Sequence, residues 1–190
     1  MPEIVLASQS PRRQELLKRA FFSFLTIPSD ADETLPDAPP DVCVTEIARR
    51  KAMDVMPRVS PGALIISADT LVVCDGQILG KPRDEADARA MLTRLSGRTH
   101  EVYTGVVIAQ SSNVLADYAM TRVKFRPLTS EQIDAYIHSG EPMDKAGAYG
   151  IQDKGAFLVE RIDGDYFNVV GLPLCLLGNM LSKFGIDVLR

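Results

Sequence analysis

Apolar and polar residues follow one another along the chain in blocks that predict strands and helices in alternation. Residues 4–7 form a short, wholly apolar run, which is typical of a buried strand. Ser10 and Pro11 come next, in the order of a helix cap and a first helical residue, and the apolar pair Leu16 and Leu17 continues one helix face. The chain therefore begins with a strand that turns sharply into a helix.

The middle of the chain continues this alternation. Residues 29–41 are acidic and rich in proline, which favours an irregular segment, and helical periodicity returns over residues 44–56. Residues 63–79 hold two apolar blocks and the pair Asp75-Gly76, which suits a tight hairpin turn. An amphipathic pattern over residues 83–95 then predicts a further helix.

The second half begins with strand patterns at 104–109 and 114–125, which we expect to pair through a short turn. Thr129 and Gln132 have the spacing of a capping box and predict a helix over residues 130–138. The remaining expected elements are a glycine-rich loop at 146–152, a strand at 156–162 and a closing helix at 174–184.

This order of elements predicts an α/β protein, and residues 1–190 are expected to form one domain because no repeat or flexible linker interrupts them. A chain of 190 residues with 46% hydrophobic content is long enough to bury a core, in one lobe or in two. The formal net charge of −4 argues against a protein that wraps a nucleic-acid polymer, since that function needs a basic face. Any anion-binding site must therefore be local.

Cysteine content and hydropathy indicate the compartment. Cys43, Cys74 and Cys175 are far apart and lack metal-ligand spacing, so we expect buried thiols in a reducing cytoplasm. Glu3 and the short apolar run that follows it do not resemble a signal peptide. No uncharged apolar stretch approaches the roughly 20 residues that span a bilayer. The sequence therefore predicts a cytoplasmic protein that does not use the membrane as a partner.

Two arginines in the first predicted helical turn point to chemistry. Arg12 and Arg13 stand where the helix dipole already leaves partial positive charge, at a cost of about 0.3–1 kcal/mol. A solvated face is one interpretation, since exposed arginines are common. Their position after a strand, beside the hydroxyls of Ser8 and Ser10, matches a phosphate site, which we favour. The dipole argument further predicts that Arg13→Ala leaves the melting temperature unchanged or slightly raised.

Asp69 lies inside the apolar run 64–73, where an ionised carboxylate is costly without a cation or hydrogen bonds. One interpretation is a structural aspartate that caps a turn or pairs with an arginine. The other is a metal ligand or a general base at a cleft. Lys81, in a Gly-Lys-Pro segment after the predicted hairpin, is placed to bring an ammonium group to the same end of the sheet.

The glycine-rich loop and the histidines give weaker signals. Small residues over 146–152 allow a ligand to approach the backbone, but tight turns explain them as well, and Walker A and GxGxxG spacings are both missing from the sequence. His100 and His138 form no Ser-His-Asp pattern. A histidine-dependent hydrolase is therefore not expected.

Six motifs together carry a family resemblance. In chain order they are LASQSPRR, SADT, GKP, SGRTHEVYTG, DKAGAYGIQ and NVVGLPL. Their order and approximate spacing, from residue 4 to about residue 178, resemble the Maf family of nucleoside triphosphate pyrophosphatases. The resemblance implies a long mixed β-sheet with flanking helices that form two lobes around a deep cleft, an architecture shared with inosine triphosphate pyrophosphatases. It also implies frequent homodimers.

The same resemblance implies cleavage of a nucleoside triphosphate between its α- and β-phosphates, with a divalent cation such as Mg²⁺ or Mn²⁺. Asp69 matches the catalytic acidic position of the family, and Glu33 matches a second acidic position that helps to hold the cation. The polyanionic substrate would explain a group of phosphate-binding residues in an otherwise acidic protein. The members of this group are Ser8, Arg12, Arg13, Lys51 and Lys81.

Within the family, this chain resembles the branch that acts on dTTP and UTP, and the resemblance makes Arg12, Thr70 and Gln152 the substrate-specificity residues. A side-chain amide such as that of Gln152 offers both a donor and an acceptor to the imide edge of uracil or thymine. The alternatives are the branch that prefers 7-methyl-GTP and, in a different class, a nucleotide-binding regulator of septum formation. Asp69 beside basic residues favours catalysis, since a carboxylate near phosphates repels them unless a metal intervenes. The expected cellular function is the removal of non-canonical or excess nucleotides.

Overall fold

The structure is a computed structural model, and it describes residues 2–21 and 23–189. A seven-stranded mixed sheet has the order β2-β1-β3-β5-β6-β7, and β4 pairs with β3. Its strands are β1 (Ile4–Leu6), β2 (Leu25–Thr26), β3 (Leu64–Cys74), β4 (Gln77–Leu79), β5 (Thr99–Gln110), β6 (Asn113–Phe125) and β7 (Val159–Asp163). β1 runs parallel to β2 and β3, whereas β4 on β3 and β7 on β6 are antiparallel.

The helices are α1 (Pro11–Leu17), α2 (Pro40–Val55), α3 (Glu85–Leu95), α4 (Ser130–Ile137), α5 (Tyr166–Val170) and α6 (Leu174–Ser182). Short 3-10 helices span Met56–Arg58, Glu141–Asp144, Ala146–Ala148 and Asp153–Leu158. The mixed sheet with its helices confirms the predicted α/β class. Among the described helices, none has the length and apolar character needed to cross a bilayer.

The chain divides into two compact units. The first unit comprises Met1–Asp69, Thr104–Ala119 and Gly171–Arg190, and the second comprises Thr70–Tyr103 and Met120–Val170. Three strands, β3, β5 and β6, contribute residues to both units. Each unit has its own hydrophobic core.

In the core of the first unit, α2 packs on the parallel strands. Ala48, Ala52 and Val55 of α2 are fully buried in one cluster with Val5 of β1 and Ile65 of β3. Close packing also requires Gly105 on β5, because a Cβ atom there would lie 2.5 Å from the Val44 carbonyl carbon and oxygen. This packing fixes α2, which carries the polar residues of the candidate site.

In the core of the second unit, α3 and α4 contribute Leu92, Leu95, Ile133 and Tyr136 to a cluster with Phe125 of β6. α4 begins as predicted, because Thr129 and Gln132 form both hydrogen bonds of a capping box. The Asp75-Gly76 hairpin is also confirmed, since both residues have positive φ values, 51° and 74°, as a tight primed turn requires.

Several boundaries differ from the prediction. α2 begins at Pro40 rather than residue 44, because proline is tolerated in a first helical turn and Asp41 there complements the helix dipole. The two apolar blocks before the hairpin form one continuous strand, β3. β7 begins three residues later than expected, at Val159, after a 3-10 helix.

The expectation of three buried thiols was wrong for one of them. Cys43 and Cys74 are buried, but Cys175 is exposed. On α6, Cys175 and Asn179 are four residues apart and both exposed, whereas Met180 and Leu181 are buried. Cys175 therefore lies on the solvent-facing side of this helix.

Candidate active site

A lysine and two carboxylates meet in the first unit. Lys51 Nζ lies 2.7 Å from Asp69 Oδ1 and 2.9 Å from Glu33 Oε1. The Lys51 and Asp69 side chains are only 9% and 12% exposed, whereas Glu33 is 55% exposed. Lys51 is thus the partner that a carboxylate within an apolar strand requires. The structure brings together three of the residues that the sequence singled out.

This cluster lies where the parallel pairing of β1 with β3 ends. β1 pairs with β3 up to Leu6 and Ile66, and the Ala7 N–H donates to the Ile66 carbonyl. Ser8 and Asp69 follow these pairing positions on their respective segments. In open α/β sheets, ligands bind outside the carboxyl ends of the strands. Asp69 lies inside β3, three residues past its last pairing position with β1, and this place near the carboxyl end of β1 fits a ligand site.

Arg13 is tied to the same region by long-range contacts. Its Nε donates to the Gly171 carbonyl at 2.8 Å, and its Nη1 donates to Ser8 Oγ at 3.4 Å. Burial lowers the pKa of Arg13, an effect opposed by the carboxylate of Asp69 and, more weakly, of Glu33. The charge of Arg12 lowers that pKa further. The guanidinium group therefore lies in the field of both carboxylates.

The contact with Gly171 changes the expectation for Arg13. The dipole argument counted only an unfavourable charge in the first turn of α1. In the structure, Arg13 also donates to a carbonyl 158 positions away in the sequence. Because loss of this hydrogen bond would destabilise the fold, Arg13→Ala is expected to lower stability rather than leave it unchanged or raise it.

Glu33 belongs to an irregular segment, residues 29–39, that we call the acidic loop. Arg50 of α2 holds it from both sides of Glu33, because its Nη1 donates to the carbonyls of Thr34 at 2.9 Å and Asp32 at 3.5 Å. Glu46 in turn accepts a hydrogen bond from Arg50 Nε at 3.2 Å. Arg50 therefore fixes the backbone that presents Glu33 to Lys51.

Other α2 residues hold the two ends of the acidic loop. Asp54 accepts hydrogen bonds of 3.0 Å from Ser29 Oγ and the Asp30 N–H, and these contacts, that to Asp30 most strongly, lower the pKa of Asp54. The Cys43 thiol donates to the Ala38 carbonyl at 3.2 Å. Sequence reasoning missed these residues and Arg50. Their helical spacing at 43, 50 and 54 was the signal that could have indicated a shared polar face.

Arg12 lies on α1 in the first unit, and the other three predicted site residues lie in the second unit. Thr70 follows Asp69 on β3 and is half-buried, Lys81 is exposed, and Gln152 is half-buried in extended backbone before the 3-10 helix Asp153–Leu158. The Gly147 N–H donates to the Gly80 carbonyl at 3.0 Å, which ties the Gly-Lys-Pro segment to the glycine-rich loop. That Thr70, Lys81 and Gln152 face Asp69 across a cleft stays a prediction.

One anchor of the glycine-rich loop lies deep in the second unit. The Tyr149 hydroxyl is 2.7 Å from His100 Nε2, and both rings pack edge-on against Phe125. Burial lowers the pKa of His100 to about 4 and raises that of Tyr149. With its pKa lowered in this way, His100 is neutral at pH 7 and holds the Tyr149 hydroxyl.

The donor set of the first unit suits a cation only if phosphates complete the coordination. Among residues 2–21 and 23–189, no group of three or more histidine, cysteine, aspartate or glutamate side chains could hold a metal ion. Glu33 and Asp69 supply carboxylate oxygens next to Lys51. Magnesium bound to nucleotide phosphates usually keeps several waters and takes one or two carboxylates. The two carboxylates therefore fit a cation that arrives with a nucleotide.

Comparisons with known proteins identify the family of the chain. A dTTP/UTP pyrophosphatase from Symbiobacterium thermophilum is 49% identical over 190 residues, which cover 99% of this chain and 97% of that protein. A dTTP/UTP pyrophosphatase from Moorella thermoacetica is 52% identical over 191 residues, 99% of this chain and 98% of that one. The structure of a HAM1 protein from Coxiella burnetii has a similar fold, with a TM-score of 0.55, 16% identity, and coverage of 96% of this chain and all of that one. The family model described as Maf-like protein matches residues 3–184, and the chain belongs to this Maf family.

Proposed function

We propose that this protein hydrolyses dTTP and UTP to the nucleoside monophosphate and pyrophosphate. Relatives at about half identity over the whole chain carry that activity in their names. The observation that carries the proposal is the contact of Lys51 with both Asp69 and Glu33, where the parallel pairing of β1 with β3 ends. A buried carboxylate held by a lysine beside an arginine suits a reaction at phosphate.

The cationic residues of the first unit would bind the triphosphate. Arg13 offers a planar guanidinium group, which matches phosphate oxygens better than a point charge does. Ser8 Oγ already accepts hydrogen bonds from Arg13 and from the Ser10 N–H, so its hydroxyl proton is the group it can offer to a phosphate oxygen. Arg12 of α1 and Lys81 of the second unit are the further proposed phosphate ligands.

Asp69 is the proposed general base. Lys51 holds its Oδ1, which orients the carboxylate and leaves Oδ2 as the candidate acceptor of a proton from the attacking water. Attack on the α-phosphorus displaces pyrophosphate, whose growing negative charge would be balanced by Arg13 and Lys51. Asp69 would then release the proton to solvent and regain its charge.

The proposed cofactor is a divalent cation, Mg²⁺ or Mn²⁺, with Glu33 and Asp69 as its protein ligands. When bound, such a cation neutralises phosphate charge and polarises the phosphoryl oxygens. Lys51 separates the two carboxylates and prevents their mutual repulsion while no cation is present.

Base selection is assigned to Gln152, Thr70 and Arg12. The amide of Gln152 can donate to one atom of the uracil or thymine edge and accept from its neighbour. The family resemblance supports this choice. The same resemblance supports a homodimer that removes non-canonical or excess nucleotides, and we propose the cytoplasm as its cellular setting.

Pyrophosphate release from dTTP, UTP, CTP, GTP and 7-methyl-GTP, with Mg²⁺ and with a chelator, tests the proposal. We expect dTTP and UTP to give the highest kcat/KM, and the chelator to stop turnover. Preference for 7-methyl-GTP would place the chain in the other branch of the family. Tight nucleotide binding without turnover of any of these substrates would instead support the nucleotide-binding regulator.

A further inference from the structure

Two side chains of the second unit hold the main chain around Gln152. Tyr136 lies on α4 and is only 4% exposed. Its hydroxyl accepts a hydrogen bond from the Gly150 N–H at 3.2 Å and donates one to Glu141 Oε1 at 2.9 Å. Glu141 begins the 3-10 helix that follows α4. One end of the segment that contains Gln152 is therefore tied to a residue buried in the core.

The Glu141 carboxylate ties the other end of the same segment. Its Oε1 also accepts from the Gly155 N–H at 3.1 Å, and its Oε2 accepts from the Lys154 N–H at 3.2 Å. Tyr136 and Glu141 thus form one continuous clamp, from Gly150 through both side chains to Gly155. The clamp holds the loop only through hydrogen bonds from the main-chain N–H groups of Gly150, Lys154 and Gly155. Replacing the Gln152 side chain by that of alanine removes none of these hydrogen bonds.

The glycines at the two ends allow this closure. A Cβ atom on Gly155 would lie 1.8 Å from the Gly150 carbonyl oxygen, and one on Gly150 would lie 2.9 Å from Cε of Lys145. A side chain at Gly155 would have to displace the backbone, and a side chain at Gly150 would have to displace the Lys145 side chain. These contacts give a packing reason for the last glycine of the AGAYGIQ motif, which the sequence alone did not explain.

Three residues, Ile151, Gln152 and Asp153, lie between the clamped N–H groups of Gly150 and Lys154. Ile151 is buried at 7% exposed, and Asp153 has a positive φ of 50°, so the path of the loop is tightly restricted. Gln152 has little freedom to move its Cα while the clamp is closed.

We propose that Tyr136 and Glu141 are positioning residues for substrate selection. They hold Gln152 at a fixed place, and through it they set the discrimination between bases. This inference rests on the proposed function, in which Gln152 contacts the pyrimidine. Neither Tyr136 nor Glu141 is assigned a contact with substrate, so their effect must pass through the loop.

The test compares Tyr136→Phe, Glu141→Gln, Gln152→Ala and the double variant Tyr136→Phe/Gln152→Ala in the full-length protein. Tyr118→Phe is the matched control, because Tyr118 is 43% exposed and belongs to the first unit. For each protein, kcat/KM for dTTP and for CTP, the melting temperature and hydrogen exchange of the 150–155 amides are measured.

We expect Tyr136→Phe and Glu141→Gln each to lower the dTTP-to-CTP ratio by about 5–10-fold, the factor that corresponds to one misplaced hydrogen bond. Exchange of the 150–155 amides should become faster. The double variant should discriminate no worse than Gln152→Ala alone, since residues that act through one another are not additive. Tyr118→Phe should match the wild type in every measurement.

Unchanged discrimination in Tyr136→Phe and Glu141→Gln, while Gln152→Ala loses it, would overturn the clamp and leave the proposed function intact. An additive double variant would likewise overturn it, because Tyr136 would then act independently of Gln152. Wild-type discrimination in Gln152→Ala would overturn the base-reading role and, with it, the inference built on that role.

Discussion

Lys51 Nζ lies 2.7 Å from Asp69 Oδ1, and the two side chains expose only 9% and 12% of their surface. At so low an exposure, a charge that loses its partner is costly, whereas an intact pair contributes little net stability. Glu33 also contacts Lys51, at 2.9 Å, from a more exposed position. The consequences of removing Asp69 and of removing Lys51 therefore differ.

Asp69→Asn is expected to abolish turnover and leave the protein folded. The variant loses the proposed general base, a loss that typically slows a reaction by about 10²–10⁴-fold. Lys51 keeps an anionic partner in Glu33, so its charge is not left uncompensated. Circular dichroism and pyrophosphate release are measured on the same sample. Turnover near that of the wild type would remove Asp69 from the mechanism.

Lys51→Met is expected to destabilise the fold by about 3–5 kcal/mol, the usual cost of removing one partner of a buried ion pair. The Asp69 and Glu33 carboxylates would then lack the cation that separates them. Urea denaturation measures the free energy of unfolding. Lys18→Met is the control, because its 3.9 Å ion pair with Glu15 is about two-thirds exposed and should contribute nothing measurable. Equal effects of the two substitutions would contradict the burial argument.

Arg13→Ala is expected to lower stability by about 1–2 kcal/mol, because the Gly171 carbonyl loses its 2.8 Å hydrogen bond from Nε. Relief of the unfavourable helix dipole, about 0.3–1 kcal/mol, offsets only part of this loss. Binding of a non-hydrolysable dTTP analogue should also weaken. Thermal unfolding and calorimetric titration separate the two effects. An unchanged melting temperature would show that the hydrogen bond to Gly171 does not stabilise the fold beyond the unfavourable helix-dipole effect of Arg13.

Arg50→Met is expected to raise the Mg²⁺ concentration needed for half-maximal activity by about tenfold, the usual effect of losing a group that orients a metal ligand. Arg50 holds the carbonyls on both sides of Glu33, so its loss frees the acidic loop. The neighbouring Arg49 is exposed, and Arg49→Met is the matched control. Stabilisation by Mn²⁺ against thermal unfolding gives a readout besides activity. Equal metal requirements in the two variants would show that Arg50 does not position Glu33.

Elements specified by local chemistry were predictable from the sequence. The cap at Ser10 with Pro11, the primed turn at Asp75-Gly76 and the capping box at Thr129 each depend on residues within four positions of one another. α5 was missed because its five residues are too few to show a helical period.

Contacts between distant segments were not predictable in the same way. The sequence showed that Asp69 needs a partner, but chemistry alone allowed an arginine or a lysine, and only the packing of α2 on the sheet brings Lys51 to it. The Arg13 contact with Gly171 spans 158 positions and leaves no local pattern. The helical spacing of Cys43 and Arg50 indicates a shared polar face, but it does not indicate which backbone carbonyls the two residues hold.

The buried His100 predicts that stability falls in mild acid. Its pKa is lowered to about 4 in the folded state by burial beside Tyr149 and Phe125. In the unfolded chain it is about 6.5, so between these values only the unfolded state takes up the proton. Protonation of the unfolded chain at His100 should therefore leave the free energy of unfolding unchanged above pH 6.5, and lower it by about 3 kcal/mol once the pH has fallen to 4. Urea denaturation at several pH values in this range measures the free energy of unfolding. This free energy should change less steeply with pH in His100→Gln than in the wild type. The control is His138→Gln, because His138 is exposed. The same dependence of the unfolding free energy on pH in all three proteins would show that burial does not lower the pKa of His100.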